Sequence, residues 1–360
     1  MSDARAEVET AGRSGLTRDE LAQRLAELGA LHSPSGVEEA VDDYLVEQLS
    51  AAGEPRTDTA GNIVLRIEGR EPGPVRAVLA HKDEIGAMVK RVEERGRLRV
   101  GKLGGSFPWV WGEGPVDVLG RHATVPGILS FGARHVSKES AHREQQESTG
   151  VRWQDAWVET KLDDGALDAA GIRPGTRLVP TAARKAPVRL GADGEYVAAY
   201  AIDDKGAVAG LLELAARVKS PPHPVELVFT AREEIGCHGA KWYASRTDAE
   251  AAVAFEVTPV AKEYRTDPGP DPVLVTADAH GPLEDTLNAE LEDAAAAAGV
   301  NLRYAALSGF GSDATAALTF GMIARTACLA FATENTHGFE IAHLGGIVAC
   351  VDVLERWLAG

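Results

Sequence analysis

The chain has 360 residues, about two average domains' worth, with 44% hydrophobic and 25% charged residues, the mix of a globular rather than a disordered protein. Acidic residues outnumber basic ones 54 to 37, a net charge of −17. That excludes a general nucleic-acid surface, which needs a basic footprint, and disfavours anionic membranes.

A loose polar leader of about 14 residues comes first. Thr17 to Glu20 reads as a capping box ahead of Leu21, Leu25 and Leu28 at helical spacing. A second box, Ser35 to Glu38, precedes Val37, Val41, Leu45 and Leu49, with Gly53 as the stop. Asn62–Ile67 and Val75–Leu79 read as strands, the second apolar enough to be covered on both faces. From about Gly86 to Leu190 the texture changes to short strand-like runs with Gly-rich turns, a small β-barrel or sandwich. The runs are Gly86–Val89, Leu98–Val100, Val116–Leu119, Thr124–Leu129 and Trp157–Thr160, and Arg134 to Thr149 is a polar loop. Trp109 and Trp111 are expected to be buried in this part.

After Tyr196 strands and helices alternate. Strands are predicted at Tyr196–Tyr200, Val225–Thr230, Ala251–Phe255 and Ile323–Leu329; helices at Ala207–Val218, Leu283–Ala298, Ala314–Phe320 and Ile341–Leu358. This rhythm predicts a mainly parallel α/β sheet with helices on both faces. The expected layout is an α/β domain over 1–85 and 191–360, interrupted by a β-rich insert over 86–190.

Cys237, Cys328 and Cys350 are too few and too scattered for a disulfide framework or a Cys-x-x-Cys site, and Cys237 is read as packing. No run approaches the roughly 20 apolar residues of a membrane helix, and MSDARAEVET has no signal-type apolar segment. A cytoplasmic protein is expected.

Four predicted strands end in possible metal ligands: His81 to Glu84, Asp203-Asp204, Glu233-Glu234 and Glu256. His337 lies in a loop before the last helix. Open α/β sheets place their sites beyond the carboxyl ends of strands. Two imidazoles and three carboxylates without a thiolate suit two zinc, cobalt or manganese ions, and a carboxylate such as Asp203 can bridge them. Asp83 can accept the second N–H of His81. Of the adjacent pair Glu233 and Glu234, one can bind metal while the other serves as general base. Taken singly, Asp203-Asp204 could be a helix cap and Glu233-Glu234 a solvated pair. The remaining histidines, including His135 in the polar loop, read as structural or exposed.

LAHKDEIGAMV resembles the His-x-Asp-Glu-Ile/Val-Gly signature of the tetrahedral (TET) aminopeptidases, metallopeptidase family forty-two. HSPSGVEEAV, DTAGNIV, GIRPGTRLVP, AIDDKGAVAG, FTAREEIGCHGA, GFGSDATAA and ENTHGFE resemble further family segments, in the same order. The resemblance implies an aminopeptidase with two zinc or cobalt ions per chain, acting on short peptides, and a PDZ-like inserted domain. It assigns His81 and His337 as terminal ligands, Asp203 as the bridge, Glu234 and Glu256 as further ligands, Glu233 as general base and Asp83 as the orienting carboxylate. Glu256 stands where the family usually has Asp, and Lys205 where it has Arg. Asp313 is expected near the substrate.

The implied reaction is attack by a hydroxide bridging the two cations, with Glu233 moving the proton. The implied assembly is a dimer-based homo-oligomer, up to a dodecamer. An N-acyl amino-acid deacylase, a carboxypeptidase-like hydrolase or a non-catalytic metal-stabilised assembly protein are the alternatives. A glycosidase fits poorly, because it needs two facing carboxyls about 5–9.5 Å apart rather than paired histidines.

Overall fold

A computed structural model describes residues 16–133 and 150–360. The leader, and the expected polar loop with His135, lie outside the described residues. The core is a twelve-stranded sheet. Its centre is parallel, in the order Val225–Thr230, Val75–His81, Ala249–Pro259, Arg325–Glu334. Antiparallel strands flank it: Ile63–Ile67 on one side, Phe339–His343 and Tyr196–Tyr200 on the other.

The apolar run of Val75–His81 is explained by cover on both faces. Val78 packs into the main core with Leu211, Phe229, Phe255 and Leu354, whereas Leu79 packs with Val228, Tyr243 and Ile323 on the opposite face. Arg76 breaks the run; its guanidinium lies over the Trp357 ring, 5.1 Å from the centroid, and pairs with Glu290. The central helix Ile202–Arg217 lies close against the sheet because Gly210 lacks a side chain. A Cβ there would meet the Phe255 ring at 2.4 Å.

The insert is a closed six-stranded barrel. Its strands are Gly86–Glu93, Arg97–Leu103, Gly114–Leu119, Thr124–Ser130, Trp157–Glu159 and Arg177–Pro180, the last inside GIRPGTRLVP. Val89, Leu98, Val116, Leu129, Val158 and Leu178 fill it. Trp111 is buried there, edge-on to Trp153. Trp109 is not: it is 58% exposed, on a one-turn helix, Pro108–Trp111, that ends in the buried Trp111. The edge strand Val188–Leu190 pairs with Tyr196–Tyr200 of the large sheet.

The first capping box forms as expected, with Thr17 and Glu20 exchanging bonds. The second does not. The helix begins at Glu39 with no side-chain cap, because Ser35 Oγ donates instead to Asp83 (2.6 Å) and Glu38 accepts from buried Lys82 (2.6 Å). A cap is worth about 1 kcal/mol, less than the several kcal/mol of an unpaired buried charge. The predicted closing helix Ile341–Leu358 also needs correction. Phe339–His343 is a strand that fills the sheet beside Tyr196–Tyr200, and the helix runs Leu344–Ala359. Strands Val273–Asp278 and Arg303–Ala306 and the helix Asp164–Ala170 lay outside the predicted elements. Among the described residues no helix is long and apolar enough to cross a membrane.

Candidate metal centre

The carboxyl ends of the parallel strands bring the predicted ligands together. His81 is the last residue of its strand, and Asp203 sits in the kinked first turn of the central helix. Glu256 is not at a strand end as expected but three residues inside Ala249–Pro259, which stays paired with Arg325–Glu334 from Ala251 to Pro259. His337 lies on the turn between two strands, with φ at 64°.

Asp203 divides its oxygens between the two imidazoles. Oδ1 is 2.9 Å from His81 Nε2, and Oδ2 is 3.5 Å from His337 Nε2. Glu256 Oε1 lies 3.8 Å from His81 Nε2, and Glu234 Oε2 lies 3.7 Å from His337 Nε2. The other ring nitrogens face away. His337 Nδ1 is 3.3 Å from the Gly105 carbonyl, and His81 Nδ1 is 3.2 Å from the Asp83 carbonyl against 3.5 Å from its carboxylate. The Asp83 main chain is therefore the closer partner of His81. The carboxylate itself accepts the Glu233 N–H at 2.8 Å and the Glu234 N–H at 3.3 Å, and so fixes the paired-glutamate turn.

Glu340 and Asn62 were not singled out from the sequence, whereas Asp204 was among the possible ligands there. Glu340, within ENTHGFE, accepts the Asp203 N–H with one oxygen and the His337 N–H with the other, both at 2.9 Å. Asn62, within DTAGNIV, ties the same turn by bonds to Ala231 N and Gly239 O. Asp204 accepts the His81 N–H and stands with His81 and Glu256. Cys237, expected only to pack, also donates its thiol to Glu233 Oε1 at 3.1 Å. Asp313, expected at the substrate, is 2% exposed, with Thr230 Oγ1 donating to its Oδ2. It stands beside Glu233 and Cys237, because the first turn of its helix faces inward.

Gly105 controls the His337 ring. A Cβ there would sit 2.4 Å from Nδ1, so Gly105→Ala should displace the imidazole. The expected result is about a hundredfold lower kcat/KM with the unfolding midpoint little changed, read by steady-state kinetics and thermal melts.

Crowding of acids sets the electrostatics. Burial, then neighbouring carboxylates, pushes the carboxyls of Asp204, Glu234, Glu256 and Glu340 well up. Burial, then Asp313 and Asp83, pushes Glu233 up to about 8. Asp204 Oδ1 and Glu234 Oε1 are buried without hydrogen-bond partners among the described residues. Buried carboxylates with orphaned oxygens, clustered with the His81 imidazole, fit divalent cations, which supply the missing positive charge. The nitrogen and oxygen donor set suits zinc, cobalt or manganese.

The sequence matches the M42 glutamyl aminopeptidase family over residues 61–353, a span that takes in every candidate ligand from His81 to His337. The chain belongs to that family. It is 27% identical over 261 residues to the glutamyl aminopeptidase of Lactococcus lactis subsp. cremoris (strain MG1363), covering 69% of this chain and 70% of that one. It is 24% identical over 226 residues to the lysyl aminopeptidase of Pyrococcus furiosus, covering 62% and 61% respectively. The aminopeptidase APDkam598 from Desulfurococcus kamchatkensis shares the fold with a TM-score of 0.86 at 22% identity over 95% of both chains. So does the Pyrococcus horikoshii TET1 peptidase, described as assembling into a tetrahedron or a large octahedral shell, with a TM-score of 0.83 at 21% identity over 94% of this chain and 99% of that one.

In this M42 chain three buried lysines hold the His81–Glu84 segment from behind. Lys82 pairs with Glu38 and Asp42 at 2.6 and 2.5 Å. Lys185 and Lys205 converge on Glu84, at 2.9 and 3.5 Å. Burial alone would raise the Glu84 carboxyl, but Lys185 and then Lys205 override it and hold it down to about 2. A lowered carboxyl stabilises the fold above its unfolded value of about 4.5 and loses that contribution as pH falls toward 2. Glu84→Gln should therefore destabilise the protein by about 3 kcal/mol at neutral pH. In urea unfolding, the wild-type minus variant difference should shrink steadily from pH 4.5 to pH 2.

Proposed function

We propose that the chain is a cytoplasmic two-metal aminopeptidase that removes N-terminal residues from short peptides. The observation that carries this reading is the division of Asp203 between His81 and His337, with Glu256 and Glu234 beside them. His81, Asp203 and Glu256 would hold one cation; His337, Asp203 and Glu234 would hold the other. When bound, such cations supply Lewis acidity toward a carbonyl and lower the pKa of water; zinc is the first choice.

Glu233 takes the proton from the attacking water and returns it to the leaving amine. Its backbone is held by Asp83 and its Oε1 by Cys237, so one oxygen is left to move the proton. Positive charge bound next to Glu233 would bring its carboxyl down from about 8 toward working pH. Asp83 and Glu340 act through the main chain, fixing Glu233, Glu234, Asp203 and His337. Ile85, Trp111, Pro180 and Tyr200 line the cleft beside Glu234 and His337 and limit water there.

The names of the relatives, glutamyl and lysyl, differ in the residue they prefer. The test is therefore a panel of aminoacyl p-nitroanilides against N-blocked peptides with free carboxyl ends, with zinc, cobalt and manganese. Hydrolysis confined to free N-termini is expected; faster cleavage of the N-blocked set would make the chain a deacylase or a carboxypeptidase-like hydrolase. We propose further that the chain is a homo-oligomer built from dimers, to be read by light scattering.

A further inference from the structure

We propose that Glu233, Cys237 and Asp313 form a third cation site, separate from the His81 and His337 positions, that takes thiophilic divalent ions and disables Glu233 when filled. One ligand atom from each of the three residues lies within 4.8 Å of the other two.

Three elements build it. Glu233 follows the Val225–Thr230 strand, Cys237 caps the next helix, and Asp313 opens the helix Asp313–Thr319. The turn between the first two folds back on itself: the N–H groups of Gly236 and Cys237 both donate to the Glu233 carbonyl at 2.8 Å. With φ at 53°, Cys237 places its thiol 3.1 Å from Glu233 Oε1. Asp313 closes the third side. Thr230 occupies its Oδ2, while Oδ1 is buried with no hydrogen-bond partner among the described residues. A nine-tenths-buried carboxylate with a bare oxygen beside a thiol and a second carboxylate is an incomplete arrangement for a protein alone. It is a complete one for a cation.

The donor types choose the ion. A sulfur with two carboxylates favours zinc or cadmium over magnesium or calcium, which prefer all-oxygen shells. Three protein ligands leave a fourth position for water. As the sulfur–metal bond forms, the thiol proton passes to solvent. Three negative ligands then face a charge of +2. The position of Glu233 gives the site its consequence: a carboxylate that ligates a third ion no longer accepts a proton. That clause rests on Glu233 being the general base; the binding itself does not.

The probe is cadmium chloride, added to protein already supplied with two equivalents of zinc per chain. Cys328 and Cys350 are 0% exposed, and the His81 and His337 positions carry no sulfur, so a thiolate–cadmium ultraviolet band reports Cys237 alone. The expected result is one equivalent of band per chain and, in step with it, at least a tenfold fall in peptidase rate. Magnesium chloride should produce neither. Cys237→Ser should abolish the band and raise the half-inhibiting cadmium concentration at least tenfold, measured against its own uninhibited rate. Asp313→Asn, of the same size, should also raise it, and circular dichroism checks that both variants are folded. No band in the folded wild type, equal inhibition by magnesium, or unchanged inhibition in Cys237→Ser would overturn the proposal. A band without loss of rate would overturn its inhibitory part. A band in a protein that hydrolyses no peptide would leave the site standing and remove the aminopeptidase reading.

Discussion

Glu233→Gln is expected to lower kcat by about a thousandfold or more, with KM within a few-fold of wild type. The change is isosteric. The backbone N–H of residue 233 keeps its bond to Asp83, so the neighbouring Glu234 stays where it is. The predicted ligands are untouched, so metal content should equal that of wild type. What is lost is the group whose carboxyl burial raises to about 8 and which bound positive charge would return toward neutrality. A carboxamide has no such equilibrium and accepts no proton. Steady-state kinetics with metal analysis on the same samples checks both halves. Near-normal turnover in a metal-replete variant would remove Glu233 from proton transfer.

Asp203→Asn should have an effect as large by a different route. Asp203 gives one oxygen to each histidine, Oδ1 at 2.9 Å from His81 Nε2 and Oδ2 at 3.5 Å from His337 Nε2. In the proposed centre its loss would remove a ligand from both positions at once. Metal content should fall from two ions to fewer than one per chain, and activity should fall at least a thousandfold. The stability signs separate this from simple damage. Without cations, burial would raise the Asp203 carboxyl, but the His81 and His337 imidazoles hold it below its usual value, so deleting the charge should lower the stability of the metal-free protein only modestly at neutral pH. Wild type should melt lower after chelation, because a ligand at a hundred times its Kd contributes about 2.7 kcal/mol. The variant's melting temperature should not respond to chelator. A variant that melted far below the chelated wild type would mean that Asp203 is structural.

The ligand candidates were legible because chain-local patterns mark them. Apolar runs at Val75–His81 and Val225–Thr230 end in acids and imidazoles, and the strand ends coincide with those breaks. The groups that hold them were not legible. Glu340 reaches Asp203, Ser35 reaches Asp83 and Asn62 reaches Ala231 across more than forty residues of chain in every case. No local signal encodes such partners. The same long-range contacts defeated local rules: Ser35 and Glu38 form a sound capping-box pattern, yet both side chains serve the His81–Glu84 segment. At the C-terminal end, Phe339–His343 continues the apolar run of the last helix. It is a strand because it fills the gap between Arg325–Glu334 and Tyr196–Tyr200. Cys237 was read as packing because nothing in the sequence marks a partner for its thiol. Its partner is a carboxylate four residues back, reached through a left-handed turn at Cys237 itself.

The most direct test is a titration of zinc or cobalt into chelator-stripped protein, with cleavage of an unblocked aminoacyl substrate followed at each addition. Activity absent at the start, rising with added metal and reaching its plateau at two equivalents per chain is the predicted result. Full activity in the stripped protein, or a plateau at one equivalent with a single ion bound, would contradict the two-metal centre.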